Sequence, residues 1–270
     1  MVKIKGLIEK LQVLGFTENE SKVYLELNKL GALTGYEAAK QAGIPRPNAY
    51  SALQGLVEKG AALKTQGEPS KYIAINISEL SYNIEKKTKD TLGYLKKNIT
   101  VNQPLTNEPF ITVEGDEKIL HKISYLIQKA RKSLYLDAWF EEIRDLQEEL
   151  LAAQARGIKV VLISVGTTDI ALENVYDHGR EEEWAVNGVR SIRLIVDSEE
   201  VVTGEIGPNK SSTALYSKNN SLVELVKESI VHDIMLIEIK NAFGPQLTKK
   251  FGQNLNKLTK SISCLRHNDN

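Results

Sequence analysis

The feature that most constrains the fold is a pair of short predicted helices separated by a three-residue turn at positions 42–44. Thr34 is followed three residues later by Glu37, which is the spacing of a capping box at the start of a helix. Gly43 ends this first helix. Pro45 begins the second, since proline lacks a backbone N–H and the N–H groups of a helix's first turn have no intrahelical partner. Two helices joined by so tight a turn predict a helix-turn-helix.

The second of these helices is predicted to reach Lys59 and to have one apolar and one polar face. The residues expected on its buried face are Ala49, Leu53, Leu56 and Val57. The residues expected on its outer face are Arg46, Asn48, Ser51 and Gln54, with Tyr50 near the boundary. Side chains of these types can read base edges, so this face is a candidate DNA-reading surface. The alternative is a winged helix that mediates only protein contacts.

Two short apolar segments after this helix predict a β-hairpin, the wing of a winged helix-turn-helix. They span residues 62–65 and 71–75 around a turn at 66–70. Lys64 and Lys71 are expected where a wing meets DNA phosphates. Ahead of the motif, an amphipathic helix is expected over the first 14 residues, and a second runs from a cap at Thr17 to about Leu30. This second helix is expected to bury Val23, Leu27 and Leu30, with Tyr24 beside them.

A lysine-rich segment from about Ser78 to Asn102 carries apolar residues at helical intervals. It predicts a connecting helix that pairs with its copy in a second chain, although Gly93 makes it an imperfect coiled coil. Pro104 and Pro109 mark the following boundary. We therefore predict a winged helix-turn-helix domain over 1–77, a connector and dimerisation helix over 78–103, and a regulatory domain over 104–270.

Beyond the boundary, predicted strands and helices alternate, which indicates an α/β sheet with covering helices in a chain that is α+β overall. Strands are expected at 110–113, 133–138, 158–164, 191–196, 200–206 and 213–216. Helices are expected at 116–130, at 141–156 and from Asn220 onward. The last helix is expected to bury Leu222, Leu225, Val226 and Ile230.

The charge of the chain is unevenly distributed although its formal net charge is zero. The first 103 residues hold 15 Lys and Arg against 10 Asp and Glu, and the remainder holds 20 against 25. A polyanion is therefore expected to bind the N-terminal part. The sequence has no apolar run long enough to cross a membrane and no secretory leader, and its single cysteine, Cys264, has no partner. A cytoplasmic protein without a membrane partner is expected.

The N-terminal residues resemble the TrmB family of archaeal and bacterial transcriptional regulators. The matching stretches are 14–24, 43–50 and 53–60, which combine the caps, the turn and the second helix in the family's order. Pro47 departs from the pattern, since the family often has a small polar residue there. The resemblance implies a sequence-specific regulator that binds double-stranded DNA as a homodimer on an inverted repeat.

The resemblance also implies a C-terminal domain similar to the phospholipase D fold, whose enzymes carry a His-x-Lys-x4-Asp motif. If Asp197 corresponds to the aspartate of that motif, Arg190 stands at the histidine position and Ile192 at the lysine position. Neither residue can do that chemistry, because arginine stays protonated and isoleucine carries no charge. We expect no enzyme, and a DNA-targeted phosphodiesterase or nuclease is the alternative.

The leading hypothesis is a regulator whose C-terminal domain senses a small-molecule effector of unknown identity. Trp139 and Asp197 are candidates for effector binding, and Trp184 is a candidate for lining an effector pocket with Trp139. The alternative for each tryptophan is a place in the core or at its rim. No cofactor or metal is expected, because the histidines are scattered without metal-ligand spacing. They are His121, His178, His232 and His267.

Overall fold

A computed structural model describes residues 2–99, 109–178, 190–207 and 211–261. The chain divides into two compact units, Met1–Asn102 and Gln103–Asn270, which are described separately below. Within the described ranges, no helix has both the length and the apolar character that a membrane span requires. Trp184, Cys264 and His267 lie outside the described residues.

The first unit is a winged helix-turn-helix followed by a long helix, as predicted. Its elements are α1 (Val2–Val13), α2 (Glu18–Leu30), β1 (Leu33–Thr34), α3 (Gly35–Ala42), α4 (Arg46–Glu58), β2 (Ala62–Lys64), β3 (Lys71–Ala74) and α5 (Ile77–Asn98). The three strands form an antiparallel sheet in the order β1-β3-β2. The strand β1 was not predicted, because two residues are too few to show a β period.

Both predicted capping boxes are confirmed. The Glu20 carboxylate accepts a hydrogen bond from the Thr17 N–H at 2.6 Å, and the Thr17 hydroxyl accepts one from the Glu20 N–H at 3.2 Å. Thr34 and Glu37 repeat this exchange at the start of α3. Gly43 ends α3 with a left-handed φ of 64°, a conformation that glycine adopts without steric cost. The turn of the motif is therefore set by local chemistry.

The core of the first unit lies between α2 and α4, where Val23, Leu27, Leu53 and Leu56 are almost completely buried. Two predicted core positions are wrong. Leu30 is 46% exposed, because it is the last residue of α2 and the following residues do not cover it. Val57 is 37% exposed, because the helical period turns it to the flank of α4, and Ala52 takes its place in the core.

The second unit is an α/β sheet with covering helices, as predicted, and the helices lie on both of its faces. Its elements are β4 (Ile111–Glu114), α6 (Asp116–Lys129), β5 (Ser133–Trp139), α7 (Phe140–Asp145), α8 (Gln147–Ala155), β6 (Lys159–Val165), β7 (Val175–Asp177), β8 (Arg190–Val196), β9 (Glu200–Ile206), β10 (Thr213–Ser217), α9 (Asn220–Phe251) and α10 (Asn256–Ser261). The strand order is β4-β10-β9-β8-β5-β6-β7, with β5, β6 and β7 parallel and the other pairs antiparallel. The helix expected over 141–156 is divided at Leu146 into α7 and α8, and β7 was not predicted.

Alternate residues of the strands pack on opposite faces of this sheet. Leu134, Leu136 and Ala138 pack in the cluster that contains α6 and α8, whereas Ile163 and Ile195 pack with α9. The prediction that Leu225 is buried in α9 is wrong, since this residue is 65% exposed. The residues of α9 that pack on the sheet are Val223, Val226, Ile230 and Ile237. Leu225 lies two residues beyond Val223, about half a helical turn from that stripe.

Candidate nucleic-acid interface

The outer face of α4 carries the polar residues that the sequence singled out. Arg46, Asn48, Ser51 and Gln54 are exposed. The opposite face is buried, with Ala49 and Leu53 both at 0% exposure. An α-helix fits in the major groove of B-DNA, and a helix held by one face presents the other to its ligand. The geometry of α4 therefore leaves its polar face accessible to a ligand, as a recognition helix requires.

Two polar residues of this face are held by neighbouring side chains. The Arg46 guanidinium lies over the Tyr36 ring, 4.4 Å from its centroid, and the Gln54 amide donates a hydrogen bond to Glu58 Oε1 at 2.9 Å. Tyr36 is 51% exposed in the first turn of α3. Sequence reasoning missed Tyr36, because a cation–π contact between adjacent helices requires the angle between them.

Tyr50 is also exposed, and its ring covers the start of α3. A Cβ atom at residue 35 would lie only 2.3 Å from a ring carbon of Tyr50, so Gly35 is required for this contact. The Tyr50 ring therefore rests on the first helix of the motif while one side remains open to solvent. Its predicted place at the boundary of the polar face agrees with this position.

A hollow of about 340 Å³ lies beside α4 and the first turn of α2. Its lining residues are Thr17, Asn19, Glu20, Asn48, Ser51 and Ala52. Lys59 Nζ donates a hydrogen bond to Glu20 at 2.5 Å and to the Gly15 carbonyl at 2.8 Å, so this lysine is committed to the fold. Burial alone would raise the pKa of Glu20, but the hydrogen bonds from Lys59 and the Thr17 N–H outweigh it and lower that pKa.

The wing presents Lys64 and Lys71, both exposed, at the two ends of the hairpin that flank its turn. Lys71 pairs with Thr34 of β1, so the hairpin is joined by backbone hydrogen bonds to the start of α3. The Lys71 N–H also donates to Thr65 Oγ1 at 3.0 Å, which closes the base of the turn. Both lysines therefore extend from a backbone that is anchored to the helix-turn-helix.

In the second unit, the residues at the positions assigned to the phosphodiesterase motif make structural contacts. The Arg190 guanidinium forms an ion pair with Glu142 at 2.7 Å, and Ile192 is 1% exposed in the core. Asp197 lies in the turn after β8 with a φ of 55°, and its carboxylate accepts hydrogen bonds from the backbone N–H groups of Arg131, Lys132 and Ser133. Partial burial would raise the pKa of Asp197, but these three donors outweigh it and lower the pKa.

Trp139 is 5% exposed at the end of β5, and in the described part of the chain its indole N–H has no hydrogen-bond partner. Glu141 Oε2 and Glu142 Oε2 are also buried without a partner there. Buried polar atoms are rarely left unpaired in folded proteins, so the Trp139 indole N–H is a candidate for ligand binding. Among the residues that the structure describes, no group of three or more His, Cys, Asp or Glu side chains is arranged to hold a metal ion.

Comparisons with known proteins find models of the same family in both units. A family model described as the sugar-specific transcriptional regulator TrmB matches residues 11–78, and one described as the TrmB EBD N-terminal subdomain matches residues 109–228. The uncharacterised protein YrhO of Bacillus subtilis is 31% identical over 270 residues, 98% of this chain and 97% of that protein. The sugar-sensing transcriptional regulator TrmBL1 of Pyrococcus furiosus is 27% identical over 165 residues, which cover 58% of this chain and 47% of that protein.

Solved structures of similar proteins include TrmBL2, an archaeal chromatin protein, at a TM-score of 0.40 and 19% identity over 84% of this chain and 96% of that one. A phospholipase D family member from Salmonella typhimurium, Nuc, matches at a TM-score of 0.38 and 17% identity over 48% of this chain and 96% of that one. The family models match both units, and one relative spans nearly the whole chain. These sequence comparisons establish that the chain belongs to the TrmB family of DNA-binding transcriptional regulators.

Proposed function

We propose that the chain reads double-stranded DNA through the exposed face of α4, with Arg46, Asn48, Ser51 and Gln54 directed at base edges and Tyr50 beside them. The observation that carries this proposal is the division of α4 into one buried face and one polar, exposed face. Lys64 and Lys71 are proposed to contact phosphates, since both are exposed on a hairpin anchored to the motif.

The regulator is further proposed to be a homodimer on an inverted repeat. The support comes from α5, whose second half is exposed along its whole length although it carries Leu92 and Leu95, with Ile99 just after it. Helices derive most of their stability from the packing of an apolar face, so this half of α5 lacks a partner within the described part of its own unit. A second copy of α5 would cover these side chains and give two reading heads related by two-fold symmetry.

The second unit is proposed to regulate DNA binding without catalysis. The support is that Arg190 and Ile192 cannot replace the motif histidine and lysine. A small polar effector is proposed to bind at Trp139, where the unpaired indole N–H would donate a hydrogen bond to it. Such an effector changes DNA affinity only if it binds two arrangements of the protein unequally. A regulator that binds DNA in this way is expected to act in the cytoplasm.

The test compares the two groups of proposed DNA contacts in separate variants. Arg46→Ala and Gln54→Ala are expected to reduce the preference for an operator over a scrambled duplex, because each removes a base contact worth about 1–3 kcal/mol. Lys64→Ala and Lys71→Ala are expected to weaken binding to both duplexes equally and to make the dependence of log K on log salt shallower by about 1. Fluorescence anisotropy at several salt concentrations measures both quantities.

Glu58→Ala serves as the control for Gln54, because it removes the intrahelical partner of Gln54 and leaves the amide available to a base. Its preference for the operator should therefore remain. Equal behaviour of the α4 and wing variants would contradict the assigned roles, and unchanged binding by both groups would exclude this surface as the DNA interface.

A further inference from the structure

One edge of the sheet in the second unit gathers exposed cationic side chains. They are Lys129, Arg131, Lys132, Lys159 and Lys218, and we call this set the basic edge. Four of these residues line a single hollow of about 210 Å³, and the Lys159 N–H donates to the Lys132 carbonyl at 3.1 Å. The concentration is unexpected, because residues 104–270 hold more acidic than basic side chains.

The topology of the sheet brings these residues together. The strands β5 and β6 are parallel and paired from Ser133 and Lys159, so the residues just before both strands lie at the same edge. The helix α6 ends there at Lys129, and β10 is antiparallel to β9, which places Lys218 beside Glu200 at 3.5 Å. The basic edge therefore joins residues from three separate parts of the sequence, 129–132, 159 and 218.

Three acidic residues, Asp197, Glu199 and Glu200, lie at this edge beside the five cations, so positive side chains still outnumber negative ones there. The Asp197 carboxylate accepts from three backbone N–H groups, and Glu200 accepts from the Tyr216 hydroxyl at 2.6 Å and pairs with Lys218. The remaining four cations of the basic edge form no ion pair within the described part of the chain: Lys129, Arg131, Lys132 and Lys159.

The arrangement suits an extended polyanion better than a small anion. Sites for small ligands are enclosed and have a few convergent polar groups, whereas the cations here are exposed and spread along an edge. Tyr125 is 53% exposed and lies beside Lys129, whose Nζ is 5.3 Å from the centroid of the tyrosine ring. Rows of exposed lysine and arginine side chains bind nucleic acids through phosphates, without reading bases.

We propose that the basic edge is a second DNA-binding surface of this chain, which contacts backbone phosphates independently of sequence. The inference rests on the proposed function, since it assumes that DNA is the partner of the molecule. It adds a contact from the regulatory unit, so that part of the affinity for any duplex comes from outside the winged helix. Base preference would still belong to α4.

The test uses the full chain and the double variant Arg131→Gln/Lys132→Gln. These substitutions keep the backbone N–H groups that Asp197 accepts from, so the fold of the turn is retained. The expected result is weaker binding to operator and scrambled duplexes alike, a salt dependence shallower by about 2, and an unchanged ratio between the two duplexes. The matched control is Lys249→Gln/Lys250→Gln, which removes the same charge from exposed positions near the end of α9.

A salt dependence that stays at the wild-type value in Arg131→Gln/Lys132→Gln would overturn the proposal. An equal loss of DNA affinity in the control variant would also overturn it, because that result would indicate a general charge effect. Protection of the wild type alone from thermal unfolding by inorganic phosphate, with unaltered DNA binding, would replace it with a small-anion site. These outcomes are separate from a failure of the proposed function, because only the Arg46 and Gln54 variants report on the preference for the operator.

Discussion

Asp197, the expected counterpart of a catalytic aspartate, uses its carboxylate to bind the backbone. Its carboxylate joins the turn after β8 to the loop before β5 through three N–H donors at 2.7–3.2 Å. Its φ of 55° is in the left-handed region, which aspartate and asparagine tolerate better than most residues. Because the Asp197 carboxylate is occupied by these backbone donors, it is a poor ligand for an effector. The effector site is therefore proposed at Trp139.

We predict that Asp197→Ala lowers the free energy of unfolding of the second unit by about 1–3 kcal/mol, because three backbone donors lose their acceptor. Asp197→Asn is the milder control, since asparagine accepts the same turn conformation and keeps one carbonyl acceptor. Both tryptophans of the chain, Trp139 and Trp184, belong to the second unit, so urea unfolding followed by tryptophan fluorescence measures this effect. Equal stability of wild type and Asp197→Ala would show that these hydrogen bonds contribute nothing.

The same residue has a predictable pH dependence. The folded-state pKa of Asp197 is lowered, so its stabilisation is fully present above the unfolded pKa and is lost as pH falls through the folded pKa. The stability difference between wild type and Asp197→Asn should therefore be largest near neutral pH and should shrink below about pH 4. A difference that remains constant down to pH 2 would contradict the assigned carboxylate contacts.

At the scale of elements, two glycines within helices differ in what surrounds them, so alanine at each position tests a different effect. One tests side-chain packing and the other tests helix propensity. Gly55 lies in α4, where an added Cβ would come within 2.1 Å of Glu20 Oε1. Glu20 cannot easily move, because the Thr17 N–H and Lys59 Nζ both donate to it. Gly93 lies in α5 with no heavy atom within 4 Å of such a Cβ.

We predict opposite effects of alanine at these two positions. Gly55→Ala should lower the free energy of unfolding by about 1–3 kcal/mol through overpacking against Glu20. Gly93→Ala should raise it by about 0.5–1 kcal/mol, because it meets no obstacle and reduces the entropy of the unfolded chain. Thermal unfolding followed by circular dichroism compares the two variants. Stabilisation by both substitutions would mean that Glu20 is free to move, and the contact between α2 and α4 would have to be revised.

At the scale of the whole molecule, the state of association depends on which exposed apolar surface pairs. The second half of α5 carries Leu92 at 48%, Leu95 at 39% and Ile99 at 63% exposure. A competing stripe runs along α9 at four-residue intervals, formed by Val231, Met235 and Ile239. The spacing of three and four residues on α5 is that of a coiled-coil seam, which favours α5 as the dimer contact.

We predict that Leu92→Ser/Leu95→Ser converts the proposed dimer to a monomer and weakens operator binding, because the two proposed reading heads are then no longer linked. Met235→Ser/Ile239→Ser is the matched variant and should leave the dimer intact. Sedimentation velocity measures the mass in each case. Dissociation by the α9 variant alone would transfer the dimer interface to the second unit.

The sequence predicted much of the candidate DNA interface, because α4 depends on short-range patterns. The exposed positions of Arg46, Asn48, Ser51 and Gln54 follow from helical spacing alone. Spacing failed at Leu30, Val57 and Leu225, which are apolar but exposed, since burial depends on whether another element covers the position. The contact between Tyr36 and Arg46 was likewise inaccessible, because it depends on the angle between two helices.

Local chemistry by itself determined the caps at Thr17 and Thr34, the turn at Gly43, the hairpin and the alternation of strands and helices in the second unit, since each depends on residues a few positions apart. Tertiary structure alone decided which distant residues meet. The hydrogen bonds from 131–133 to Asp197 cross more than sixty positions of sequence, and the basic edge combines three separate segments. Such contacts follow from strand order and direction, which the packing of the whole sheet establishes and no local pattern encodes.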